Sequence, residues 1–252
     1  MNLTIEEIPS EVESWSAQEV LGWAFEQFRS EVALASGFGA EGMVLIDMAG
    51  GLHPDFRLFT LDTGFLFPET YELIRRVERR YGVTVERCRS ELTPVEQARA
   101  YGDALWTRQP DRCCALRKVE PLAKKLAELN AWITAIRRDQ STDRASARKV
   151  EWDSRFGLVK INPIADWTWP HVWEYIRSHD VPYNPLHDRN YPSIGCTHCT
   201  RPVEPGEDPR AGRWSGFRKT ECGLHSRRND RDAVRDSEPA GRDNEAADML
   251  RD

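Results

Sequence analysis

The sequence predicts an α/β fold in which a mainly parallel sheet is covered by helices on both faces. Two observations predict it. Short β-branched and aliphatic runs alternate with amphipathic stretches along the chain, the order that strand–helix crossovers produce. Several of those stretches also open with residues suited to a helix N-terminus. A third observation bounds the size: 252 residues suffice for one large core or two modest domains.

Taken in order, Ser16 with Glu19 three positions later has capping-box spacing, which predicts a helix over residues 16–29. Glu31–Ala35 (EVALA) is the first strand candidate. A glycine-rich turn leads into the apolar run Met43–Ile46, expected to be helical, and Phe56–Leu61 (FRLFTL) is the second strand. Residues 68–81 open with Pro68 and Glu69, suited to a first turn, and place Tyr71, Ile74, Val77 and Tyr81 on one face. Thr84–Cys88, Ala131–Ile136 and Leu158–Ile161 are the remaining strands, with helices expected over residues 111–129 and 169–178. Ligands of such sheets bind beyond the carboxyl ends of the strands. After about residue 200 the composition turns to Pro, Gly and charge without periodicity. The expected organisation is a body over 1–205, a mobile segment over 206–228 and a disordered tail over 229–252, too polar to offset its ordering entropy.

Apolar residues make up 40% and charged residues 30%, with a net charge of −6. That balance argues against general nucleic-acid binding, while local basic clusters can still hold a small anion. The acidic N-terminus lacks a signal-peptide pattern, and no apolar run approaches the ~20 residues of a membrane span. A cytoplasmic location is expected, with no membrane partner. In a reducing compartment six cysteines read first as metal ligands or reactive thiols.

Cys196-Thr-His-Cys199 is a C-x-x-C pair in a loop marked by Pro192, Ser193 and Gly195, a spacing that lets two sulfurs reach one metal. Cys113 and Cys114 are adjacent. On a helix their side chains diverge by about 100°, so they reach different iron corners of a cluster more readily than two positions on one ion. Four cysteines satisfy zinc or an iron–sulfur cluster. Cys88 lies in a predicted strand and reads as a buried small hydrophobe. Cys222 stands near Arg218, Lys219 and His225, cations that favour a nucleophilic thiolate; the alternative is a bystander thiol on a mobile segment.

Residues 35–42 (ASGFGAEG) follow a strand and precede an apolar run, so their backbone can approach an anion at a helix N-terminus. Leu61-Asp-Thr-Gly64 ends the second strand at the same sheet edge. Arg137-Arg138, Arg117-Lys118, Arg210 and Arg213 follow at strand ends or beside cysteines. Together they point to a phosphate or sulfate pocket.

These stretches resemble the assimilatory adenylyl-sulfate reductases, within the adenine-nucleotide α-hydrolase-like PP-loop fold. SGFGAEGMVLID, LDTGFLFPETYEL, RCCALRKVEPL, AIRRDQS, NPIADWTWPHVWEYI, YPSIGCTHC, RAGRW and ECGLH carry the resemblance in family order over residues 31–225. The resemblance implies a 4Fe–4S cluster on Cys113, Cys114, Cys196 and Cys199, and Cys222 as nucleophile. It implies that Ser36, Gly37, Asp62 and Gly64 hold the adenosine portion, and that Lys118, Arg138, Arg210, Arg213 and His225 contact the phosphosulfate. The implied reaction is thioredoxin-dependent reduction of adenosine 5′-phosphosulfate in sulfate assimilation, through an S-sulfocysteine, in a homo-oligomer. The alternative is the 3′-phosphorylated substrate, or both. Two departures stand out. SGFGAEG lacks the Asp-Ser of ATP-cleaving PP-loops, which agrees with the reductase branch, and His198 stands where members often carry Pro.

Overall fold

The computed structural model describes residues 8–217, 219 and 221–225. The expectation of a disordered tail over 229–252, and Arg218, lie outside them. Six strands form one sheet in the order β3-β2-β1-β4-β6-β5, comprising β1 (Val32–Ala35), β2 (Leu58–Asp62), β3 (Val85–Arg89), β4 (Ala131–Ile133), β5 (Val150–Asp153) and β6 (Leu158–Ile161). All neighbours pair in parallel except β5, which runs antiparallel to β6. The sheet is therefore mainly parallel, as expected.

Side-chain alternation along the strands sets two core layers. Val32 and Leu34 of β1, Leu58 of β2, Ala131 and Ile133 of β4, and Val159 and Ile161 of β6 face one large apolar layer. There they meet α1 (Ala17–Phe28), α2 (Ala40–Leu52), α3 (Pro68–Tyr81) and α8 (Trp169–Ser178). The intervening residues Ala33, Phe59, Trp132 and Leu158 face the other side and pack with Leu122 and Leu126 of α7 (Glu120–Leu126). Among the described residues no helix is long and apolar enough to cross a membrane.

Helix starts follow the local chemistry. Ser16 and Glu19 form both arms of a capping box at α1. Pro68 opens α3, and Gly82 closes it in the left-handed region at φ 67°. On the expected apolar face of α3, Ile74 and Val77 are fully buried, while the hydroxyls of Tyr71 and Tyr81 donate to Asp62 and Asp47.

The structure corrects several expectations. Strand β6 matches the expected Leu158–Ile161; β1 to β4 shift by one to three residues at one or both ends, and Thr134–Ile136 leave the sheet. The edge strand β5 and the helices α4 (Pro94–Tyr101) and α5 (Leu105–Arg108) were not expected. The single helix over 111–129 is three pieces: α6 (Pro110–Cys114), a π-helical turn Ala115–Val119, and α7. Pro121 has no N–H for the carbonyl of residue 117, and the Glu120 N–H reaches back five residues to Ala115. The wider turn buries both Arg117 and Lys118.

The chain steps outward from β1 to β2 and β3, then returns to the other side of β1 through β4. Strand order reverses there. Parallel pairing brings the loops after β1, β2 and β4 to one sheet edge at this switch point, where open α/β sheets leave a crevice.

Candidate active site

A cavity of about 460 Å³ occupies that edge, within the size range of small-molecule sites. Ser36, Gly37 and Gly39 form its floor after β1. Phe38 between them is buried with φ 57°, a conformation uncommon for a bulky side chain, and its N–H donates to Ser36 Oγ at 3.0 Å. Gly42 has a steric reason: a Cβ there would stand 2.5 Å from Ser36 Oγ.

Four cysteines gather beside the cavity. The loop after β2 holds the C-x-x-C loop through a Leu66–Cys196 bridge and a Thr197 N–H donated to Phe65 O at 2.8 Å. Cys113 and Cys114 come from α6, and all four sulfurs line one small enclosed space with Lys118. Thr63 Oγ1 lies 3.3 Å from Cys196 Sγ, and Gln97 Nε2 donates to Cys113 Sγ at 3.9 Å. Arg117 donates to Gln97 and to Thr63 O; its buried Nη2 has no hydrogen-bond partner among the described residues. Burial, with Cys114 and Cys196 adding negative charge, pushes the Cys113 thiol up to about 11. Burial and the same kind of neighbours push Cys199 up to about 12. Burial alone would lower Lys118, but its cysteine neighbours Cys196, Cys114 and Cys222 outweigh it and hold the ammonium above its usual range. Among the described residues no three His, Cys, Asp or Glu side chains form a metal-ion site; the four cysteines share the lining of one small space.

Lys118 and Cys196 line both spaces and so form the wall between cysteine centre and cavity. Cys222 lines the cavity too, packed against Cys114 and Trp214 and only 9% exposed. The RAGRW stretch folds back onto the C-x-x-C loop: Arg213 bridges Thr200, and the Trp214 N–H donates to Cys199 O at 3.1 Å. Arg213 also donates to Ser193 Oγ at 3.0 Å and lies over the Trp214 ring. Gly195 lets it lie close, because a Cβ there would displace the guanidinium. His225 stacks on Trp132 at 5.5 Å. Burial first, then Lys160, Arg144 and Arg210, keep its imidazole well below the usual range, hence neutral.

Of the residues expected to bind substrate, Ser36, Gly37, Lys118, Arg210, Arg213 and His225 line the cavity. Asp62, Gly64 and Arg138 do not. Asp62 is next to cavity-lining Leu61 and Thr63, and alternation turns it to the other face, where it accepts from Tyr71, Arg89 and the Gly64 N–H. Gly64 faces Pro94 and Arg117. Arg138 pairs with Glu13 and donates to Ala147 O. Its neighbour Arg137 lines the cavity instead, paired with Glu41 and lying over Trp169. Arg144 and Trp132 also line it and were not expected. Arg144 sits in a stretch without periodicity, so no local signal marked it. The AIRRDQ motif did mark the position of Arg137 to within one residue.

The arrangement places a thiol, two buried cations, Lys118 and Arg137, and three further guanidinium groups, those of Arg144, Arg210 and Arg213, around a cavity lined by a glycine-rich loop. A thiol so placed can attack an anionic electrophile whose charge those cations offset.

Comparison with known proteins shows the family. The model of the phosphoadenosine phosphosulfate reductase domain matches residues 31–202. The chain is 50% identical over 226 residues to the adenosine 5′-phosphosulfate reductase of Halalkalibacterium halodurans, covering 89% of this chain and 98% of that one. It is 49% identical over 208 residues to adenosine 5′-phosphosulfate reductase 2 of Bacillus subtilis, covering 82% and 88%. The crystal structure of a phosphoadenylyl-sulfate reductase from Candida auris, a phosphate complex, superposes with a TM-score of 0.70 at 33% identity, over 80% of this chain and 99% of that one. An FMN adenylyltransferase from Candida glabrata shares the fold alone, with a TM-score of 0.54 at 13% identity over 83% of this chain and 72% of that one.

Proposed function

We propose the following chemistry for this chain, which belongs to the phosphoadenosine phosphosulfate reductase family. It is an adenylyl-sulfate reductase of sulfate assimilation, acting on adenosine 5′-phosphosulfate. The observation that carries the mechanism is the place of Cys222, on the cavity wall beside Lys118 and Arg210 and against cysteine Cys114.

The Cys222 thiolate attacks the sulfuryl sulfur. An S–S bond forms, the S–O bond breaks, and AMP leaves with its electron pair. Lys118, Arg210 and Arg213 offset the repulsion between thiolate and sulfuryl oxygens. Ser36 and Gly37 hold the nucleotide at the glycine-rich loop, and neutral His225 offers a ring nitrogen, Nδ1, that has no hydrogen-bond partner among the described residues. A dithiol protein of the thioredoxin type then attacks the Cys222 sulfur and sulfite leaves. The second thiol of that protein resolves the mixed disulfide, so the dithiol is oxidised by the two electrons that reduce the sulfur. Cys222 is too buried for an external protein to reach in this position, which supports mobility of the segment over 206–228 between the two steps.

Cys113, Cys114, Cys196 and Cys199 fit a 4Fe–4S cluster. Four cysteines lining one small space, two buried cations beside them and the orphaned Arg117 Nη2 suit such an anionic group. When bound, it supplies fixed charge and rigid support to the wall that carries Lys118, without passing electrons. The reaction as written suits the cytoplasm, where a thioredoxin-type reductant is available.

Cys222→Ser is expected to form no covalent adduct on mixing with the phosphosulfate, by intact mass, while iron and acid-labile sulfide stay at wild-type levels. A variant that still turns over would overturn the assignment of the nucleophile. Rates with the 3′-phosphorylated compound on the same sample read out substrate preference.

A further inference from the structure

Cys222 is followed and preceded by different kinds of anchor. On its C-terminal side, Arg155 donates to Gly223 O, Leu224 joins the apolar layer of Trp132 and Phe156, and His225 stacks on Trp132. On its N-terminal side the anchor is ionic. Glu221 is 8% exposed. Its carboxylate accepts two parallel bonds from Arg144, Nε to Oε1 and Nη2 to Oε2, both at 2.9 Å, and pairs with Arg210 at 3.2 Å. A bidentate guanidinium–carboxylate pair is both strong and directional.

Arg144 is itself held from the nucleotide loop. Its Nη1 donates to Gln140 Oε1 at 2.6 Å, Gln140 Nε2 donates to Glu41 Oε1 at 2.8 Å, and Glu41 pairs with Arg137. One continuous polar chain thus runs from α2, which carries the glycine-rich loop, to the residue before Cys222. Arg144 and Arg210 also line the cavity. Each guanidinium has five N–H donors, so the two can grip Glu221 and a bound anion together.

We propose that Glu221 is a positioning residue that seats Cys222 on the cavity through Arg144 and Arg210, and that it serves formation of the sulfonated cysteine and not its reductive cleavage. The inference rests on Cys222 being the nucleophile. The asymmetry follows from burial: attack on bound substrate needs Cys222 docked, whereas an external dithiol reaches its sulfur only after the segment leaves. Glu221→Gln keeps the shape and removes the charge on which both guanidinium contacts depend.

The test uses the full-length, iron-loaded chain and separates the half-reactions. Protein is mixed with adenosine 5′-phosphosulfate without reductant, and adduct formation is followed by quench and intact mass. The isolated adduct is then mixed with thioredoxin and sulfite release is timed. Glu221→Gln is expected to slow adduct formation roughly tenfold or more and to leave sulfite release unchanged or faster. Glu221→Asp, which keeps the charge on a shorter arm, is expected to slow the first step less; should the Gln variant lose its iron and fold, the Asp variant carries the same comparison. Equal slowing of both steps, or no slowing of the first, overturns the proposal. A wild-type chain that forms no adduct on Cys222 overturns the nucleophile reading itself, a result distinct from either.

Discussion

Two cysteines from one chain meet opposite fates because of what surrounds them. Cys196 faces three other sulfurs and the Thr63 hydroxyl. Cys88, on β3, packs against the apolar layer under α7, and burial, with Glu86 nearby, pushes its thiol up to about 11. Cys196→Ala is therefore expected to purify with iron and sulfide far below wild type and without cluster absorbance, whereas Cys88→Ala keeps both. Residue types were legible in the sequence at this scale, and so was the pairing of Cys113 and Cys114 with Cys196 and Cys199 that the structure brings around one space. Facing was not. Asp62 and Thr63 differ by one position at a strand end, where one position reverses the side on which a side chain falls, and Arg138 opens a 3-10 turn just after extended Arg137. Past the strand end no apolar alternation remains to say which side is which.

Elements with their own start and stop chemistry were legible nearly to the residue. The ends of α3 match expectation because Pro68 and Gly82 punctuate them, and α8 matches for want of any competing signal. Gly82 has φ 67° and open space where a Cβ would be, so Gly82→Ala is expected to cost about 1 kcal/mol from the backbone alone. A lowered urea midpoint at unchanged slope would show it. Strand β5 was hidden because VEWD lacks the apolar run that marked its neighbours; its partner β6 selects it by pairing at the sheet edge. The π-helical turn was hidden for the opposite reason. A good helical pattern over 111–129 concealed a local misfit at Pro121, and the adjustment turned Arg117 and Lys118 inward.

At the scale of the whole molecule, Cys222, Leu224 and His225 line the cavity, and docking of residues 221–225 is expected to depend on pH. Docked His225 is half-buried; desolvation first, then Lys160, Arg144 and Arg210, keep its pKa well below the ordinary value. Undocked, it takes a proton below about 6.5. The undocked form then binds more protons, so docking is fully stable above that pH and weakens as pH falls through it, by at most about 1.4 kcal/mol per unit. Glu221 acts in the same direction lower down. Burial works against its charge, but Arg144 and Arg210 hold its carboxyl below the usual range. Hydrogen exchange over residues 221–225, corrected for intrinsic rates, is expected to rise between pH 7.5 and 5.5 and to stay flat above 7.5. Exchange independent of pH would show that docking does not rest on neutral His225.

The sequence by itself determined the fold class, the order of most elements, the set of cysteines and the family, because apolar periodicity, capping residues and motif spacing are local properties. Which cations line the cavity, that Lys118 stands in the wall shared with the cysteine centre, and that Glu221 ties Cys222 to the nucleotide loop were decided only by the tertiary structure. Those contacts join residues tens of positions apart, 77 in the case of Arg144 and Glu221. Their geometry depends on strand order and on the path of a segment whose own composition carries no periodicity, so nothing local could record it.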